Sequence, residues 1–307
     1  MPIINLRALR SSFKRWTVIL HLATVTSAAL SLGVACVAEA KVSGSPPMMS
    51  ITSTDGTTIA YARSGHGPPL VIVHGTAADH TRWAPILAEL EQRFTVYAVD
   101  RRGRGASSDS SVYSIEREFD DIAALVDSIG EPVVLLSHSY GALCSLEAAL
   151  RTNHVRKLVL YEPPIPAGLP IYAPGSIERL QTLLDKGDKA GVVTTFFTET
   201  LHMPDAELKM LQSLPSWRAR VDAARTIPRE LREDERYRFD PARFKAFKVP
   251  TLLVLGGASP AFFKAAIDAV HVALPSSRVV VLPGQQHVAM NTAPALFLHE
   301  VLPFLAD

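Results

Sequence analysis

Leu135-Leu136-Ser137-His138-Ser139-Tyr140-Gly141 lies between an apolar run, Pro132 to Leu136, and a small-residue run of helical character, Ala142 to Leu150. That order predicts a strand, a sharp turn and a helix, with Ser139 at the apex. A strained turn of this kind holds a hydroxyl clear of the sheet, where a substrate can reach it. Strand and helix backbones nearly touch at such a turn, so the flanking positions need small residues. Gly141 meets that need fully, whereas Ser137, where glycine is usual, meets it less freely.

Outward from this turn the chain alternates strand and helix signals. Ser50 to Thr54 and Thr57 to Ala62 read as an opening hairpin around Asp55-Gly56. Leu70 to Val73 is a buried-strand run ending at His74-Gly75, and a helix pattern follows over Trp83 to Leu90. Thr95 to Val99 is the next strand, then a helix over Phe119 to Ile129 stopped by Gly130, then the strand into Ser139. Val155 to Leu160, Thr251 to Leu255 and Arg278 to Leu282 continue the strand series, with helices at Pro260 to Leu274 and Phe297 to Leu305. Such alternation predicts a parallel sheet covered by helices on both faces. Between Ile165 and Lys248 the pattern changes to a Pro-rich start and charge-laced helices, which reads as an inserted cap.

The 307 residues are 48% hydrophobic and 20% charged, ordinary for a chain that buries one large core. Arg7, Arg10, Lys14 and Arg15 precede an apolar stretch from Trp16 to Val37 that ends in Ala38-Glu39-Ala40, the pattern of a secretory signal cleaved after Ala40. The expected compartment is therefore periplasmic or extracellular. The apolar stretch is long enough for a retained membrane anchor to stand as an alternative. Cys36 invites a lipoprotein reading, but Gly33 stands where a lipobox wants leucine. Without residues 1–40 the chain holds 27 basic and 29 acidic residues, so no basic excess attracts nucleic acid. Cys144 is then the single cysteine and suits a buried apolar position. The organisation read from sequence is a signal at 1–40, a linker at 41–48, core at 49–164 and 249–307, and a cap at 165–248.

Four motifs in order carry a family resemblance: His74-Gly75 after the third strand, Asp100 to Ser107 after the fourth, the turn at Ser139, and Gly284-Gln285-Gln286-His287 after the last strand. Together they resemble the α/β-hydrolase superfamily over about residues 48–164 and 249–307. The resemblance implies an α/β fold with a mostly parallel central sheet, helices on both faces and a helical cap. It also implies acyl transfer through a covalent serine intermediate.

A serine hydroxyl needs a base to accept its proton during attack. His287 is the candidate, since it lies in a loop beyond a strand and follows the serine in the family's chain order. His138 is close in sequence, but a neighbour of the apex points away from the nucleophile and reads as a packing residue. Most relatives place the orienting acid after the strand equivalent to Thr251 to Leu255, yet that turn is Gly256-Gly257-Ala258-Ser259-Pro260 here and has no carboxylate. Some members, one group of haloalkane dehalogenases among them, carry the acid one strand earlier. Glu162, 23 residues beyond Ser139, occupies that place. Capping its own loop or pairing with a cap arginine are the other readings of Glu162, and Asp268, further down a helix, is a poorer candidate acid.

An oxyanion requires backbone donors: the Tyr140 amide, and the amide of Thr76 or Ala77 after His74-Gly75. Asp79, His80 and Trp83, further along that loop, are candidate pocket residues. The charged, glycine-rich Asp100 to Ser107 loop reads as structural, with Arg101 or Arg104 bonding nearby carbonyls. His74, His80 and His138 share no metal-ligand spacing, and neither a metal nor an organic cofactor is implied. The expected activity is cleavage of an ester or related small-molecule acyl compound. A cofactor-free haloperoxidase-like perhydrolase and a non-catalytic binding protein on the same scaffold are the alternatives. Serine rather than aspartate at position 139 argues against dehalogenase and epoxide hydrolase chemistry. Oligomeric state is not legible.

Overall fold

The computed structural model describes residues 47–306; the signal expected at 1–40 and most of the linker at 41–48 lie outside them. Eight strands form one sheet in the order β1-β2-β4-β3-β5-β6-β7-β8. They are β1 (Met48–Thr52), β2 (Thr58–Gly65), β3 (Pro69–Val73), β4 (Thr95–Val99), β5 (Val133–His138), β6 (Val155–Tyr161), β7 (Thr251–Gly256) and β8 (Ser277–Leu282). The opening hairpin pairs β1 with β2 antiparallel, β2 pairs antiparallel with β4, and every later pairing is parallel.

Parallel strands need crossovers, and here helices supply them: α1 (Ala84–Glu91), α2 (Ile115–Ile129), α3 (Tyr140–Ala148), then α4 (Ser176–Asp185), α5 (Lys189–Thr195), α6 (Asp205–Ser213), α7 (Trp217–Asp222) and α8 (Ile227–Arg236), and finally α9 (Ala261–Ala273), while α10 (Ala289–Thr292) and α11 (Pro294–Ala306) follow the last strand. Helix α2 starts at Ile115, four residues before the apolar pattern begins at Phe119. Its first turn carries Glu116 and Glu118, which suit the positive end of the helix dipole but break the hydrophobic rhythm.

The central strands read as uninterrupted apolar runs because both faces are covered. Val71, Val73, Val133 and Leu135 join one buried cluster with side chains of α2, α3 and α9. Their neighbours Leu70, Ile72, Val134 and Leu136 join the other cluster with side chains of α1 and α11. The period-two alternation of a strand thus divides the core into two layers around the sheet. Helices α4 to α8 fill the excursion between β6 and β7, and Ile177, Leu180, Val192, Phe196, Phe197 and Leu231 pack them into the first layer. No helix among the described residues is long and apolar enough to cross a membrane.

Candidate active site

The turn between β5 and α3 sets Ser139 at φ 56°, ψ −129°. This is backbone that a side-chain-bearing residue adopts at a cost of about 1–3 kcal/mol. Its surroundings hold it there. The Ser139 amide donates to the carbonyl of Tyr161 at 2.8 Å, which pins the turn to the end of β6. A Cβ on Gly141 would lie 2.3 Å from the His74 carbonyl oxygen, so only glycine lets α3 approach β3 this closely. A Cβ on Gly75 would lie 2.7 Å from the Ser139 Cβ and 3.2 Å from its Oγ. Ser137 is tolerated in a glycine position because its hydroxyl donates to Ser145 Oγ at 2.6 Å inside the fold.

Glu162 follows β6 directly, at φ 50° and with no exposed surface. One carboxylate oxygen accepts from the Gly256 amide at 2.6 Å and the other lies 2.5 Å from His287 Nδ1. The turn that lacks a carboxylate therefore still serves the acid, through its backbone. Residue 256 has no room for a side chain: a Cβ there would meet Ser259 Oγ at 2.5 Å and the Gln285 carbonyl at 2.7 Å. Asp268, by contrast, is on the surface, paired with Lys264 at 2.6 Å.

The His287 loop is held from several sides. Tyr161 Oη donates to the Gln286 carbonyl and accepts from the Ala289 amide at 3.3 Å. His138 Nε2 donates to the His287 carbonyl at 2.8 Å, while its Nδ1 has no partner. The Phe263 ring stacks on the imidazole, with centroids 4.4 Å apart and planes 14° from parallel. Because Glu162 accepts from Nδ1, Nε2 is the imidazole atom left to receive a proton. Burial, with the His287 and Arg82 charges adding to it, keeps His138 well below the usual imidazole range. A neutral His138 suits its role as an anchor for the His287 backbone, and its burial disfavours the protonated form that a rival base would have to take.

Ser139 and His287 line one closed cavity of about 10 Å³, shared with Thr76, Ala78, Arg82, His138, Phe196, Phe197, Leu201, Arg220 and Val288. This is no more than the space of one water, so cap side chains must move before an acyl group enters. Tyr140 is the first residue of α3, and its amide has no intrahelical carbonyl to bond. Ala77, at φ 54°, is a second strained position, in the loop after β3. Of the amides proposed from sequence as oxyanion donors, that of Tyr140 follows Ser139 directly, and Thr76 lines the same cavity as Ser139.

The candidate pocket residues Asp79, His80 and Trp83 are placed elsewhere. Asp79 caps a short 3₁₀ turn, accepting from the Thr81 amide at 2.9 Å. His80 bonds Asp100 at 2.8 Å, and Trp83 is fully buried in the second core layer. The turn rotates successive side chains, and it is Arg82 between them that reaches the cavity. Arg101 and Arg104 form more than carbonyl bonds: both meet Glu230 of α8, and Arg101 is held at 2.8 Å by Glu118. Sequence reading also missed Arg220 and the Phe196-Phe197 pair. Buried Arg220 and exposed Arg218 look alike in Trp217-Arg218-Ala219-Arg220, and only packing separates them. Burial lowers Arg82 to about 9 and Arg220 to about 10.

Residues 70–300 match the profile of the alpha/beta hydrolase family. In sequence, the 2-(acetamidomethylene)succinate hydrolase of Mesorhizobium japonicum is 25% identical over 268 residues, covering 81% of this chain and 91% of that protein. A solved alpha/beta hydrolase from Sphaerobacter thermophilus is 35% identical, with a TM-score of 0.72 over 83% of this chain and 100% of that one. The esterase RhEst1 from Rhodococcus sp. has a TM-score of 0.68 at 22% identity, over 85% and 98% of the two chains, a likeness of fold.

Proposed function

The chain belongs to the alpha/beta hydrolase family and is an enzyme of hydrolase type, and from that premise we propose that it cleaves an ester or related acyl compound through an acyl-enzyme on Ser139. The observation that carries this reading is the buried Glu162 to His287 bond of 2.5 Å, on an imidazole that lines the Ser139 cavity.

In the first half-reaction Ser139 Oγ attacks the acyl carbon while its proton passes to His287 Nε2. Glu162 keeps the Nδ1 proton in place and offsets the positive charge that develops on the ring. The oxyanion lies against the Tyr140 amide and that of Thr76 or Ala77, each such donor contributing about 3 kcal/mol to the transition state. Collapse of the intermediate breaks the bond to the leaving group, which departs with the proton from His287. Water then attacks the acyl carbon and gives a proton to His287; collapse of this second intermediate breaks the bond to Ser139 Oγ, which takes that proton back, and the acid is released. The feature that favoured a non-catalytic scaffold, the turn without a carboxylate at Ala258, loses its weight once Glu162 serves the same imidazole.

A fluorophosphonate probe tests this reading without knowledge of the substrate. Wild-type protein is expected to be labelled on Ser139, and Ser139→Ala to remain unlabelled. An unreactive wild type, correctly folded, would overturn the mechanism.

A further inference from the structure

A buried guanidinium without an acidic partner costs several kcal/mol, and three of the five buried arginines among the described residues avoid that cost. Arg101 and Arg104 meet Glu118 and Glu230, and Arg102 meets Asp55 and Asp121. Two arginines depart from that pattern. Arg82, 3% exposed, donates to Asn291 Oδ1 and to Met290 Sδ at 3.6 Å. Arg220, 4% exposed, donates from Nη1 to the Ala77 carbonyl at 3.0 Å, and its buried Nε has no acceptor. Neither forms an ion pair with any carboxylate among the described residues. Asp79 acts on Arg220 only at a distance, and its own Oδ1 is taken by Thr81.

Both arginines line the cavity that holds Ser139 and His287. They come from different parts of the fold: Arg82 from the core turn before α1, Arg220 from α7 in the cap. Arg82 also walls a second cavity of about 270 Å³, lined by Pro85, Leu214, Pro215 and Ala219 among others, which has room for a small organic group. Two positive forks without counter-ions, at the reacting serine, suit a planar anion that accepts hydrogen bonds from both.

We infer that Arg82 and Arg220 form an anion subsite, and that the enzyme takes an acyl substrate bearing a carboxylate a few bonds from the scissile carbonyl. This inference rests on the serine-hydrolase reading and narrows it. The carboxylate supplies the charge that the fold withholds from these two arginines. Bridging core and cap, it also fastens the cap over the serine when substrate is bound.

The test compares mono-4-nitrophenyl succinate with 4-nitrophenyl pentanoate, a neutral ester of similar length, after subtraction of the enzyme-free rates. Wild-type enzyme is expected to favour the charged ester in kcat/KM by about tenfold or more, the scale of a hydrogen bond to a charged group. Arg82→Met and Arg220→Met are expected to lower that ratio by a similar factor, and Arg82→Lys to keep part of it. Arg220 also braces the Ala77 carbonyl, so the ratio within each variant is the readout rather than its absolute rate. Equal rates on the two esters in wild type would overturn the subsite and leave the serine mechanism standing. A preference that survives both methionine variants would overturn the assignment to these arginines. Turnover of neither ester together with no fluorophosphonate label would sink the mechanism and the subsite together.

Discussion

Glu162 is held in a backbone conformation that glutamate rarely adopts, and both of its oxygens are engaged inside the protein. A neutral amide of the same shape keeps only one acceptor oxygen. In Glu162→Gln either the Gly256 amide or the His287 ring faces an NH₂ group, and the charge that develops on the ring during attack is no longer offset. Turnover of a short nitrophenyl ester is expected to fall by about 10⁴, or about 5–6 kcal/mol, as when the carboxylate of a related triad is made an amide. Asp268→Asn, on an exposed residue paired only with Lys264, is expected to leave turnover within about twofold of wild type. Equal effects in the two variants would refute the role of Glu162. At this scale Ser139, His287 and Glu162 were legible in the sequence because each follows a strand end in a fixed order. Arg82 and Arg220 were not, because an arginine's letter does not say whether its charge is solvated, paired or bare.

At the scale of elements, β6 is the hub of the site. Its last residue, Tyr161, receives the Ser139 amide on its carbonyl and ties the His287 loop with its hydroxyl. The next residue is Glu162, the proposed acid. Helix α8 plays the corresponding part for the cap, since Glu230 is fully buried and accepts from Arg101 and Arg104 in the loop after β4. Glu118 and Glu230 together balance these two arginines. Glu230→Gln removes one negative charge and leaves a buried positive excess. The expected loss of stability is about 3–5 kcal/mol, read as a lowered urea midpoint at unchanged slope. A change below about 1 kcal/mol would show that the pair is solvated in solution. The Asp100 to Ser107 loop was recognisable as structural from its glycines and charges, but its partner on α8, more than a hundred residues away, was not.

Over the whole molecule, buried histidines set a dependence of stability on pH. Burial, and then nearby positive groups, hold His74 and His138 well below the ordinary imidazole value. Below about pH 6.5 the unfolded chain binds protons that the fold refuses, so their contribution is full at neutral pH and is lost on acidification. His80 works in the opposite sense. Its bond to Asp100 raises it, so its contribution is present below about pH 6.5 and is lost as the pH rises through its folded value. Below about pH 6.5 His80 carries its proton in both states and drops out, so the two protons refused by His74 and His138 set the net loss on acidification, with a slope approaching about 2.7 kcal/mol per pH unit. The urea midpoint is expected to be lower at about pH 5.5 than at about pH 7.5, and His80→Asn to widen that gap. A midpoint that is flat or higher at the lower pH would contradict this balance.

The sequence alone determined the layered α/β architecture, the strained turn at Ser139 and the chain order of the proposed nucleophile, acid and base. These follow from local rules: strand and helix periodicity, the need for small residues where backbones touch, and the placing of reactive groups at strand ends. Tertiary structure decided the rest. It brought Glu162 to His287 across the Gly256 turn, and it shut the cap over the serine with Phe196 and Phe197. It also stripped water and counter-ions from Arg82 and Arg220. Burial and pairing are properties of what surrounds a residue, and those surroundings come from segments far apart in the chain.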